Sequence, residues 1–126
     1  MHVLVVEPDV VLAKTYAAGL QEDGHSTVCV RTAQQAVGEA DRTQPDAVVL
    51  AYDMARHNGI EFLYEFRSYS EWRDIPVILL VSYLNPHAGA NEALQRDLDV
   101  HTVFVKSHVC IRQLCEAVAQ TERSRA

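Results

Sequence analysis

An α/β fold built on a five-stranded, doubly wound parallel sheet is what this sequence predicts. Two observations carry the prediction: short apolar runs recur five times along the chain, and amphipathic helical patterns separate them. The right-handedness of parallel crossovers then leaves an open sheet wrapped by helices as the economical arrangement.

The first run, His2 to Val6, leads into a helix expected from about Pro8 to Glu22, with Leu12, Tyr16 and Leu20 inward and Gly24 ending it. Ser26 to Val30 is the second strand. Ala33, Ala36, Val37 and Ala40 then recur at helical spacing. Ala47 to Leu50 is continuous enough to be a strand buried on both faces, and a loop from Tyr52 to Gly59 precedes the stripe Phe62, Leu63 and Phe66. Val77 to Val81 is the fourth strand, and Ala90, Ala93 and Leu94 form a weaker helical stripe. Thr102 to Val105 is the last strand, with Phe104 and Val105 core or near-core, before a fifth helix carrying Ile111, Leu114, Cys115 and Val118.

With 126 residues the chain makes one domain, taken as 1–121, with 122–126 as a tail or the start of a linker. Hydrophobic residues at 48% and charged residues at 22%, without repeats or low-complexity tracts, favour an ordered globular chain. A net charge of −6 argues against nucleic-acid binding by this domain, because phosphate contact needs a clustered positive face. Cys29, Cys110 and Cys115 form no CxxC pair, which suits a reducing compartment and small core residues. The six histidines have no metal-ligand spacing. Neither a secretion signal nor a membrane-spanning run is present in the sequence, so the expected location is cytoplasmic. No glycine-rich phosphate loop follows the first strand, and no nucleophile motif occurs, so neither a cofactor nor an enzymatic activity is assigned.

In such a sheet, ligands and chemistry collect at the carboxyl ends of the strands, where the first and third strands lie side by side. Four positions therefore matter: Glu7 to Asp9, Ala51 to Asp53, Val81 with Ser82, and Lys106.

These positions fall within segments that resemble the receiver domain of bacterial response regulators. The resemblance rests on VLVVEPD at the start, PDAVVLAYDMARHNGIEFLYEFR in the middle, PVILLVS later, and Lys106-Ser107 near the end, all in order and together covering nearly the whole chain. It implies a flavodoxin-like strand order 2-1-3-4-5 and a role in two-component, phosphorelay signal transduction or transcriptional regulation. The functional positions depart from the family's pattern. Glu7 keeps the first member of the acidic pair that holds magnesium, while Pro8 replaces the second. Ala51 occupies the acceptor position, Val81 the hydroxyl position, and Val103 the aromatic switch position; only Lys106 is retained.

The substitutions are chemically consistent with one another. A methyl group cannot form an acyl phosphate, valine cannot donate to a phosphoryl oxygen, and magnesium loses two carboxylates. The resemblance therefore implies a pseudo-receiver with a vestigial pocket of Glu7, Asp9, Ala51, Asp53, Val81 and Lys106, working through phosphorylation-independent protein contact. Lys106 needs a partner, and Glu7 is the candidate across the emptied pocket. Glu7-Pro8-Asp9 also has a local reading, proline in the first helical turn and an acid at the helix dipole.

Asp53 reads as a solvated loop residue, with a phosphorelay role as substitute acceptor the alternative; Arg56 and His57 in the same loop read as polar side chains facing water. Ser82 follows Val81 and, by strand alternation, turns to the other face. A small-molecule sensor using the more apolar pocket is a further alternative. Tyr52, Trp72 and Tyr83 are candidate interaction aromatics, most of them expected to be partly buried. By the family's habit, the partner or homodimer surface is the face of the fourth helix, last strand and fifth helix, with Arg96, Asp97, Arg112 and Glu116 as rim charges. Any nucleic acid would be met by a downstream effector, and no membrane contact is expected.

Overall fold

The computed structural model describes residues 1–53, 59–82 and 99–125. Strands β1 (His2–Val6), β2 (Ser26–Val30), β3 (Ala47–Ala51), β4 (Val77–Val81) and β5 (Val100–Val105) form one sheet in the order β2-β1-β3-β4-β5. Every pairing is parallel. Helices α1 (Val10–Glu22), α2 (Ala33–Arg42) and α3 (Gly59–Ser68), a short 3-10 turn (Ser70–Trp72) and a final helix (Ile111–Arg125) surround it. The stripe Ala90, Ala93 and Leu94, together with Tyr83, Arg56 and His57, lies outside the described residues.

Alternation along the strands builds two cores. Leu4, Val6, Val48, Leu50, Leu79 and Val81 face α2 and α3, where Phe62, Leu63, Phe66 and Trp72 close one side. Val3, Val5, Val49, Ile78 and Leu80 face α1 and the final helix, meeting Tyr16, Leu20, Leu114 and Val118. Residues on β3 and β4 are buried throughout, as their uninterrupted apolar runs demand. Phe104 and Val105 pack on opposite faces, as their adjacency requires.

Several expectations are corrected by the packing. The first helix begins at Val10, because Asp9 stays extended and its carboxylate accepts the Val11 and Leu12 N–H groups, leaving Pro8 outside. Leu12 is only half-buried, whereas Tyr16 and Leu20 are interior. Gly24 ends the helix region with φ 91°, a conformation that favours glycine. Cys29 and Cys110 are exposed, and only Cys115 is a core residue. Cys29 sits on β2, an edge strand with less cover, and Cys110 precedes the final helix. Trp72 follows the expectation of burial for these aromatics: it stacks on Phe66 with ring centroids 5.1 Å apart and is buried. Tyr52 is half-buried against the same core. The final helix runs on through Arg125.

Arg67 ties the connections at the amino ends of β4 and β5. Its guanidinium donates to the carbonyls of Trp72, Arg73, Ile75 and Asp99 at 3.0, 2.9, 2.6 and 3.1 Å. Burial pulls its pKa below the ordinary arginine value, opposed by the carboxylates of Asp99 and Asp74.

Candidate functional site

Parallel pairing carries the strand ends into one shallow row. Just past the strands, the Glu7 N–H donates to the Val30 carbonyl at 3.0 Å, the Tyr52 N–H to Leu80 at 2.8 Å, and the Lys106 N–H to Val81 at 2.8 Å. Backbone hydrogen bonds thus fix the start of each loop before any side chain acts.

Glu7 is 1% exposed, one of the few charged side chains in the interior. Lys106, 19% exposed, reaches from the end of β5 and places Nζ 2.8 Å from Glu7 Oε1. The contact is ionic: that oxygen accepts no directed hydrogen bond, while Oε2 accepts the Asp9 N–H at 3.1 Å. A carboxylate this deep would be costly without a nearby cation, and Lys106 supplies one. The pair anticipated from the sequence is therefore formed.

Asp9 does not join it. Its Oδ1 receives the Val11 and Leu12 N–H groups at 2.9 and 3.1 Å, so the carboxylate is spent on capping α1. The negative field of both acids is felt one helical face away. Tyr16, inside α1, has its phenol pushed up to about 12, by burial first and then by Glu7 and Asp9.

Ala51 ends β3 fully buried, and Val81 ends β4 buried as well, so these two positions present hydrocarbon to the strand ends. Gly59, the first residue of α3, donates its N–H to the Tyr52 carbonyl at 2.7 Å. A Cβ on Gly59 would stand 3.0 Å from the Ala51 carbonyl oxygen, which explains a glycine there.

Asp53 is exposed but not purely solvated, because the Ser82 hydroxyl donates to its Oδ2. The register gives the reason. Ala51 pairs with Leu80, so two residues further along both strands Asp53 and Ser82 stand side by side on the same face. Alternation does turn Ser82 away from the side of Val81, and that turn brings it to Asp53. Pairing register between strands distant in sequence was the missing information.

A family model described as "Response regulator receiver domain" matches residues 3–119. The chain belongs to the response regulator receiver domain family. It is 25% identical over 119 residues to the KDP operon transcriptional regulatory protein KdpE of Escherichia coli, covering 89% of this chain and 52% of that protein. It is 28% identical over 81 residues to the phosphate regulon transcriptional regulatory protein PhoB of Escherichia coli, covering 64% of this chain and 35% of that protein. The chain thus spans about half the length, or less, of the curated relatives it matches.

Among solved structures, a sensor protein from Polaromonas sp. JS666 superposes with TM-score 0.86 at 21% identity, covering 99% of this chain and 98% of that one. The chemotaxis protein CheY4 of Vibrio cholerae gives TM-score 0.85 at 18% identity, covering 95% and 97%. The receiver domain of a signal transduction histidine kinase from Syntrophus aciditrophicus gives 0.84 at 23% identity, covering 98% and 90%. The receiver fold is therefore shared along nearly the whole chain, and membership of the response regulator receiver family sets the domain in two-component signalling.

The magnesium site that the family implies can be tested against this receiver domain's own donors. Glu7 offers Oε1 to Lys106 and Oε2 to the Asp9 N–H, Asp9 caps α1, and Pro8 and Ala51 have no side-chain oxygen. This set does not fit a hard cation that wants several oxygens in octahedral array. Among the described residues, no group of three or more His, Cys, Asp or Glu is arranged to hold a metal. No helix among them is long and apolar enough to cross a membrane.

Arg112 and Glu116 both lie exposed on the final helix of this receiver domain. The other two rim charges, Arg96 and Asp97, lie outside the described residues.

Proposed function

We propose that this receiver domain signals by phosphorylation-independent protein contact, as a pseudo-receiver. The observation that carries the reading is the Glu7–Lys106 ion pair at 2.8 Å, beside a strand end where Ala51 offers only a methyl group. In this reading the pair holds β1 and β5 in one arrangement without a phosphoryl group. Lys106 has its anion already, and Glu7 has its cation. The signal is then a binding event at the surface of the last strand and the final helix, with Arg112 and Glu116 supplying rim charges, together with the expected fourth helix and its Arg96 and Asp97, which lie outside the described residues. A protein partner or a second copy of the domain fits that surface, and a transcriptional output would reside in a segment beyond this domain, as the names of KdpE and PhoB suggest.

A second reading has its own observation. The Ser82 hydroxyl on Asp53 places a hydroxyl beside an exposed carboxylate, so Asp53 as a substitute acceptor is the rival. Fluoroberyllate with magnesium, a mimic of the aspartyl phosphate, separates the two by fluorine NMR. The pseudo-receiver reading expects only free fluoroberyllate signals. A protein-bound signal that disappears in Asp53→Ala would transfer the function to the phosphorelay reading.

A further inference from the structure

Strand β5 carries a feature that is rare in parallel sheets, one extra residue. Val77 pairs with Val100, but the next pair is Ile78 with Thr102, so His101 is inserted between them. The packing reflects the insertion. Val100, Val103 and Val105 all lie toward α2 and α3, although the first step is an odd one, while Phe104 lies toward α1 and the final helix. In a regular ladder every residue from Thr102 onward would turn to the opposite face.

Lys106 depends on this. One step past Val105, it falls on the face of Phe104, and Phe104 stands beside Leu80, which stands beside Ala51. Val6 pairs with Leu50, so Glu7 comes next to Ala51 on that same face. Without the insertion Lys106 would be aimed away from Glu7. The sequence of β5 does not secure the register by itself: from His101 to Val105 apolar side chains point to both faces, and all five residues are half-buried. Such a strand packs nearly as well one residue out of step.

A clamp stands at the entrance to the strand. Arg67 Nη1 donates to the Ile75 carbonyl, two residues before β4, at 2.6 Å, and Nη2 donates to the Asp99 carbonyl, one residue before β5, at 3.1 Å. The carbonyls of Trp72 and Arg73 fix the same guanidinium to the connection leading into β4. Asp99 has φ 52°, a left-handed conformation that a residue other than glycine keeps only where its surroundings enforce it. Left-handed turn, clamp and inserted residue thus fall within three positions.

We propose that Arg67 sets the register of β5 against β4, and thereby the face on which Lys106 arrives at Glu7. Arg67 is then a positioning residue, because it acts at the amino end of a six-residue strand and the ion pair lies past the other end, about 20 Å away. Releasing it lets β5 slip by one residue, which parts Lys106 from Glu7 and exchanges the faces of Val103 and Phe104. A slip would also remodel the surface assigned to signalling; that consequence rests on the pseudo-receiver reading, whereas the register does not.

The test is NMR of the isotopically labelled domain, with the register read from nuclear Overhauser contacts between β4 and β5. The parent domain should show Ile78–Thr102 and Leu80–Phe104 contacts in one set of signals. Arg67→Gln should add a second set from β5, at about a tenth of the intensity or more, with Ile78–His101 and Leu80–Val103 contacts. Arg67→Lys should do the same, since it keeps the charge but loses the planar fork that spans the two carbonyls. Deleting His101 makes the ladder regular with Lys106 already on the correct face, so in that background Arg67→Gln should leave one set of signals. If Arg67→Gln alone does not fold, the His101 deletion should restore its folding. A folded Arg67→Gln with only the parent register would overturn the proposal. So would changes spread equally over all five strands, an equal response with and without His101, or a deletion that fails to rescue. Fluoroberyllate binding is measured independently of all these outcomes, so the register and the pseudo-receiver reading fail separately.

Discussion

Lys106 Nζ lies 2.8 Å from Glu7 Oε1, joining the end of β5 to the end of β1 across the two strands between them. The two partners are unequal. Glu7 is 1% exposed and cannot retreat to water, whereas Lys106 keeps 19% of its side chain exposed and can swing its ammonium outward.

That inequality predicts an asymmetric double-mutant cycle. Lys106→Met strands a buried carboxylate and should cost about 3 kcal/mol, the lower end for breaking a buried pair. Glu7→Gln should cost less, because the lysine left behind solvates itself. The double variant should recover part of the loss of Lys106→Met. Urea melts of the four proteins measure each term, and equal, additive losses would show that the contact contributes nothing specific.

Asp9 is assigned to capping α1 through the Val11 and Leu12 N–H groups. Asp9→Ala should therefore cost about 1 kcal/mol, and Asp9→Ser should restore most of it, since a hydroxyl caps as well as a carboxylate. If Asp9 served chiefly as a charge in the site, the serine variant would be as poor as alanine. Thermal melts of the two variants decide between these roles.

The alkaline limb of stability carries a second signature. Tyr16 titrates at about 12 in the folded chain against an ordinary 10.0, raised by burial and then by Glu7 and Asp9. A phenol whose folded value is raised contributes stability that is complete below pH 10 and is lost as pH rises through about 12. Tyr16→Phe should flatten the stability profile in that window and leave it unchanged in shape near neutrality. A profile with the same alkaline slope in both proteins would place the titrating group elsewhere.

Much of this was legible in the sequence because it depends on local pattern. Uninterrupted apolar residues at Ala47–Leu50 and Val77–Val81 could only be strands covered on both faces, and helical stripes such as Phe62, Leu63 and Phe66 named their inward sides. The Glu7–Lys106 pair was also within reach, since a lysine at a strand end beside a methyl group needs an anion. What escaped was relational. Asp53 meets Ser82 because Ala51 pairs with Leu80, and that register belongs to the assembled sheet. Cys29 is exposed because β2 is an edge strand, which its own composition does not reveal. The start of α1 shifted by two residues because Asp9 competes for the cap, a choice made by backbone geometry more than by the proline before it.

Intact-mass analysis after incubation with acetyl phosphate and magnesium, run beside a phosphorylatable receiver as control, bears most directly on the claim that this site has no phosphoryl acceptor. This domain should keep its unmodified mass under conditions that modify the control. An added phosphoryl group that vanishes in Asp53→Ala would contradict it.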